Sequence, residues 1–128
     1  MTIDVQNLVK RYDAHFALHV PSLRVEAGEA LGLVGNNGAG KTTFLRLLLD
    51  LIRADEGCVL ISGYRVDVDA DWKPHTGSYL DESFLLDFLR ADEFFHFVGH
   101  AYGLSEAAIE SKIARFQVFL PEEAFIAQ

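Results

Sequence analysis

Residues 35–43 carry the densest chemistry in this sequence. Gly35-Asn36-Asn37-Gly38-Ala39-Gly40-Lys41-Thr42 satisfies every position of the G-x-x-x-x-G-K-[ST] phosphate-loop pattern, and Thr43 follows it. The chemistry offered is the holding of a polyphosphate. The glycines let backbone amides come close to a charged ligand and take conformations that a β-carbon disfavours. Lys41 supplies a point charge for the β- and γ-phosphates, and the Thr42 hydroxyl is an oxygen ligand for Mg²⁺. Gly35, Asn36, Asn37, Gly38, Ala39, Gly40, Lys41, Thr42 and Thr43 are therefore the candidate binding residues for a nucleoside triphosphate, with Lys41 also a candidate catalytic group.

Such a loop works between a strand and a helix, because the new helix aims its free N–H groups at the phosphates. Glu29-Ala30-Leu31-Gly32-Leu33-Val34 reads as a short buried strand leading in. Residues 43–52 carry Phe44, Leu47, Leu48 and Leu51 at helical spacing. Upstream, residues 3–12 read as a strand ending in Lys10-Arg11-Tyr12. Phe16-Ala17-Leu18-His19-Val20 reads as its neighbour, stopped by Pro21, and Leu23-Arg24-Val25 as a third extended run. Downstream, Cys58 to Ser62 reads as a strand closed by Gly63, residues 67–75 as a short helix ending near Pro74, and Ser78-Tyr79-Leu80 as one more strand.

The character changes near residue 82. Residues 84–104 are aromatic-rich and helical in pattern, and Ser105 opens a second helix carrying Ile109, Ile113 and Phe116. The expected architecture is α/β. A P-loop NTPase core with N-terminal antiparallel strands occupies 1–81, and part of an α-helical subdomain occupies 82–128.

The bulk properties bound the function. The chain has 128 residues, half of them hydrophobic, which suits one globular domain with a real core. A formal charge of −8 argues against a broad nucleic-acid surface, so no nucleic-acid partner is expected. Cys58 is the single cysteine, which excludes an internal disulfide and a multi-cysteine metal site; it reads as a small buried strand residue. No apolar run approaches the ~20 residues that span a bilayer, and Met1-Thr2-Ile3-Asp4 has no signal core. The expectation is a soluble, cytoplasmic chain, peripheral on the membrane where it docks on a membrane protein. His96 and His100 lie four apart with Glu93 one turn earlier, but Phe97 stands where a metalloprotease helix needs glutamate. With no further ligand in view they read as exposed or capped histidines.

Taken in order, these features resemble the nucleotide-binding domain of the ATP-binding cassette (ABC) family. The resemblance rests on the strands before the loop, the Gly28-Glu29 turn, Asn-Gly-Ala-Gly-Lys-Thr-Thr at 37–43, and Glu56-Gly57 through Ile61-Ser62-Gly63. It covers about residues 1–105. It implies that Tyr12 stacks on adenine, an interaction of ~1–3 kcal/mol that tolerates any base. It also implies a Mg²⁺-touching residue at the junction with the helical piece, where Asp81 and Glu82 compete for the position and for a catalytic, Mg²⁺-binding role. A second reading makes Tyr79-Leu80-Asp81-Glu82 a Walker B strand. The family's signature segment, a convincing Walker B strand and the switch histidine are not found. The resemblance therefore implies the N-terminal portion of an ATP-binding transporter subunit, with ATP and Mg²⁺ as cofactors. A transmembrane permease subunit, docking near the aromatic stripe, and a second nucleotide-binding domain would be its partners. Alternatives are a soluble cassette ATPase of DNA repair or translation, and a catalytically silent ATP-binding fragment. Hydrolysis by this chain alone is expected to be negligible, since phosphoryl transfer needs an oriented water and positioned charge.

Overall fold

The computed structural model describes residues 1–12, 17–81, 86 and 88–116. The chain divides into two units, Met1–Leu80 and Asp81–Gln128.

The first unit is built on a four-stranded antiparallel sheet. β1 (Ile3–Arg11) and β2 (Ala17–Val25) form a long hairpin. β3 (Glu56–Ile61) pairs with the other side of β1, and the two-residue β4 (Tyr64–Arg65) pairs with β3, giving the order β2-β1-β3-β4. Val5, Leu8, Val59 and Ile61 point into one apolar cluster, closed from the other side by Phe44, Leu47, Val66 and Trp72. Phe44 and Leu47 belong to helix α1 (Lys41–Leu48), so the helix that begins at the phosphate loop is anchored by its i, i+3 pair. Trp72 is buried with its indole N–H donated to the Asp69 carbonyl at 3.0 Å, which leaves no orphaned donor.

One irregularity sets the inward face of β1. Strict alternation from Val5 would bury Asn7, yet Leu8 is the buried residue. β1 and β3 keep register from Ile3↔Ile61 to Gln6↔Cys58, then shift by one residue before Val9↔Glu56. Asn7 takes a left-handed φ of 47° at that shift, so the strand carries one extra residue, a β-bulge, and the inward set moves from odd to even numbers. Gly57, with φ 79°, lies directly against this bulge.

Several sequence expectations change here. Pro21 does not stop the second strand: β2 runs through it, between the Gln6↔Ser22 and Leu8↔Val20 pairs. β2 is an edge strand, where a missing N–H has a side on which nothing needs it. Residues 30–36 form no strand, and Leu31, Leu33 and Val34 are exposed, Val34 at 91%. A strand is made by its neighbours' hydrogen bonds, and among the described residues none pairs with this segment. α1 stops at Leu48, Asp50 turns left-handed with φ 54°, and Leu51 swings outward rather than continuing the apolar stripe. The expected helix at 67–75 reduces to a 3₁₀ turn at Lys73–His75, and 78–80 is extended without pairing. Cys58 is half-buried rather than fully enclosed.

Asp55 ties the bulged end of β1 to the start of β3. Its Oδ2 accepts the Arg11 backbone N–H at 2.6 Å and its Oδ1 accepts Lys10 Nζ at 3.3 Å. The Arg11 amide, seconded by Lys10, holds the Asp55 carboxyl below its ordinary value of 3.8. A depressed folded pKa contributes stability above the unfolded value, lost as pH falls through the folded one. The stability difference between the parent chain and Asp55→Asn is therefore expected to be full at pH 7 and to shrink below about pH 4, read by urea unfolding at several pH values. A difference independent of pH would count against this tie.

In the second unit, α2 (Ala91–Ala101) packs on α3 (Glu106–Phe116). The helical pattern expected from 84 begins, among the described residues, only at Ala91. The Glu93 side chain reaches back to accept the Arg90 N–H at 2.9 Å, satisfying a first-turn donor. α2 ends where Gly103, at φ 73°, donates to the His100 carbonyl and Leu104 to that of Gly99. Gly99 also lets the helices meet closely, since a β-carbon there would lie 2.6 Å from Ile109 Cγ1.

Candidate functional site

The loop before α1 is shaped by glycine. Gly38 and Gly40 adopt φ of 83° and 92°, a left-handed conformation that costs other residues roughly 1–2 kcal/mol each. Ala39 donates to the Asn36 carbonyl at 3.2 Å and Phe44 to that of Gly40 at 2.8 Å, which closes the loop onto the first helical turn. That turn begins without a side-chain cap and without an acidic residue. Its leading N–H groups have no partner inside the helix, and no acidic residue of its own first turn offsets the positive end of the helix dipole.

Lys41 sits at this electropositive end. Its Nζ donates to the Gly35 carbonyl at 2.6 Å and the Asn36 carbonyl at 2.8 Å. The ammonium is thus folded into the loop's own mouth, held by two neutral acceptors. Carbonyl dipoles are weaker partners for a cation than phosphate oxygens are, so the pair of bonds marks where an anion would draw the charge. Around it, Asn37, Gly38, Gly40, Lys41, Thr42 and Thr43 line an open concavity of about 480 Å³. The structure therefore brings most of the sequence-predicted loop residues to one cavity, with Gly35 and Asn36 holding the lysine and Ala39 bracing the turn.

Phe44 secures this loop to the core from below. On the side facing β2, Leu18, Val20, Leu23, Leu33, Val34 and Ala39 border a smaller apolar hollow of about 200 Å³ that shares Gly40 and Lys41 with the phosphate site.

Tyr12 stands one residue beyond β1 and is 55% exposed, with Lys10 Nζ 5.9 Å from its ring centroid. Asp81 is half-buried at the start of the second unit, and Glu82 lies outside the described residues. Among the described residues, the lining of the loop cavity contains no carboxylate.

The sequence reading missed one grouping. Glu106 and Glu110 of α3 converge on His96 and His100 of α2. The i, i+4 spacing within each pair was visible, but only the antiparallel packing around Gly99 sets one pair against the other.

Comparison with known proteins agrees with this geometry. The ABC transporter family matches residues 18–124. The ABC transporter ATP-binding protein NatA of Bacillus subtilis is 36% identical over 94 residues, covering 72% of this chain and 38% of NatA. The sulfate/thiosulfate import ATP-binding protein CysA of Rhodopseudomonas palustris is 48% identical over 63 residues, covering 49% of this chain and 18% of CysA. A solved structure of an ATP binding subunit of an ABC transporter superposes with a TM-score of 0.71 at 32% identity, covering 84% of this chain and 45% of that one. The chain thus spans less than half the length of each of these relatives. With its hairpin, phosphate loop and helices in the order of that ATP-binding subunit, the chain belongs to the ABC transporter family and carries part of its P-loop ATPase domain.

Proposed function

We propose that this chain binds Mg-ATP through residues 35–43, as part of an ATP-binding subunit that energises a membrane partner. The observation that carries the reading is Lys41, parked on two carbonyls between left-handed glycines at an uncapped helix start. On binding, Nζ exchanges the Gly35 and Asn36 carbonyls for β- and γ-phosphate oxygens, and the loop and first-turn amides donate to the rest. Thr42, which lines the cavity, would contribute one neutral oxygen to Mg²⁺. That fits an ion which keeps several waters and arrives on the phosphates, needing few protein ligands. Asp81, and Glu82 beside it, are the candidate carboxylates for that ion.

Tyr12 supplies the adenine platform. Tyr12→Ala is expected to weaken ATP binding about 5- to 150-fold, the range of one lost base–aromatic stack, while leaving inorganic triphosphate binding unchanged. Calorimetric titration of both ligands on both proteins reads this directly. An equal loss for ATP and triphosphate would remove the platform role.

In the assembled protein, a second nucleotide-binding domain would face this loop and complete the site. The apolar groove of about 410 Å³ bordered by Phe94, Phe95, Val98, Tyr102, Ile113 and Phe116 supports docking of a permease segment on the second unit. The names of NatA and CysA, an ABC transporter protein and a sulfate/thiosulfate importer, favour transport over nucleic-acid work, as does the −8 charge. No helix among the described residues is long and apolar enough to cross a membrane, and a place on the cytoplasmic face beside a permease follows from this reading.

A further inference from the structure

We propose that His96, Glu106 and Glu110 form a binding site for a divalent transition-metal ion of the zinc type, with His100 beside it on Glu106, which ties α2 to α3. The two histidines are four apart on α2 and the two glutamates four apart on α3, so each pair lies on one helix face. The packing sets these faces together. His96 Nε2 lies 3.0 Å from a Glu106 carboxylate oxygen and 3.0 Å from Glu110 Oε1, and His100 Nε2 lies 3.1 Å from Glu106 Oε2. One donor atom from each of His96, Glu106 and Glu110 falls within 4.8 Å of the others.

The orientation of His96 makes this more than a charge cluster. Its Nδ1 lies 2.7 Å from the Asp92 carbonyl, which can only accept, so Nδ1 carries the hydrogen. Nε2 is then the nitrogen turned toward two carboxylates, and a positive centre belongs between them: a proton or a metal ion. A metal-ligating histidine whose other nitrogen donates to a backbone carbonyl has its tautomer and ring plane fixed in this way.

The donor set selects the ion. One imidazole with two carboxylates and a position left open suits Zn²⁺ and its neighbours, whereas Mg²⁺ and Ca²⁺ prefer all-oxygen shells. Zinc bonds of about 2.0–2.2 Å imply ligand atoms about 3.3 Å apart around a tetrahedron. The observed separations fall a few tenths short, and both glutamates are more than three-fifths exposed, so they can open to that span. Glu93, the acidic residue nearest in sequence, is committed to the α2 N-terminus instead.

The site is independent of the nucleotide reading, since it lies wholly in the second unit. The test is a Co²⁺ titration of the 128-residue chain in a Cys58→Ser background, which removes the only thiol, followed by displacement with Zn²⁺. Saturable one-to-one uptake with the visible absorption of tetrahedral cobalt, reversed by Zn²⁺, is expected. His96→Ala and the gentler Glu110→Gln should each weaken uptake by at least about tenfold, and His75→Ala, in the first unit, should leave it unchanged. Zn²⁺ should raise the melting temperature of the parent but not of His96→Ala. Absence of saturable uptake, showing a protonated His96 ion-paired with the glutamates and nothing more, would overturn the proposal. So would uptake that survives both substitutions within threefold.

Discussion

Lys41→Ala is expected to lower Mg-ATP affinity by about 10²–10⁴-fold with the fold intact. Hydrogen bonds from a charged donor are each worth about 1.5–3 kcal/mol, and a tenfold change in affinity is about 1.4 kcal/mol. The ammonium makes two such bonds even at rest, to Gly35 and Asn36, and would direct both to phosphate in the complex. Truncation removes them along with the charge that offsets the triphosphate. The lysine sits at the loop's open mouth, so circular dichroism and thermal unfolding should change little. Lys41→Arg should fall between, because a planar guanidinium cannot occupy the same point between two carbonyls. Titration calorimetry with ATP, ADP and inorganic triphosphate checks the series. An affinity for ATP within twofold of the parent would show that the loop amides do not hold the phosphates.

Gly57→Ala should be the most damaging single-methyl change in the sheet. A β-carbon at Gly57 would lie 2.2 Å from the Asn7 carbonyl oxygen and 2.3 Å from that of Gln6. These are backbone atoms of the central strand, so no rotamer change relieves the contact. The left-handed φ of 79° adds a conformational penalty of roughly 1–2 kcal/mol. Relief requires separating β1 from β3 at the bulge, which would disturb Val5, Leu8 and Val59 in the core. The total is expected to exceed about 4 kcal/mol, a large share of the roughly 5–15 kcal/mol that holds a domain together. Gly63→Ala is the matched control: its φ is 88°, yet nothing lies within 4 Å of the added methyl, so only the conformational penalty remains. Urea unfolding of the three proteins separates steric from conformational effects. If the two variants lose stability within 1 kcal/mol of each other, the bulge is not the tight contact described.

The two predictions mark the two ways in which sequence encodes this protein. The phosphate loop was legible because its demands are local: left-handed turns at Gly38 and Gly40, a helix beginning at Lys41, and Phe44 and Leu47 on one face all lie within a dozen residues. The β1–β2 hairpin and the α2–α3 pair were legible for the same reason, through periodicity and turn residues. Pro21 misled because a local rule against proline in strands takes no account of whether the strand lies at an edge. Residues 29–34 misled for the converse reason: a short apolar run predicts a strand only where partner strands supply hydrogen bonds, and none among the described residues does.

By itself the sequence determined the glycine-rich loop opening a helix, the hairpin and the helical second unit, because backbone preference and side-chain period act over a few residues. Only the tertiary structure decided that β1 is bulged at Asn7 with Gly57 packed beneath it. It alone decided that Lys41 rests on Gly35 and Asn36, and that Glu106 and Glu110 face His96. Each of these joins groups whose separation in the chain carries no periodic signal, so register and packing, which are properties of the assembled fold, had to place them.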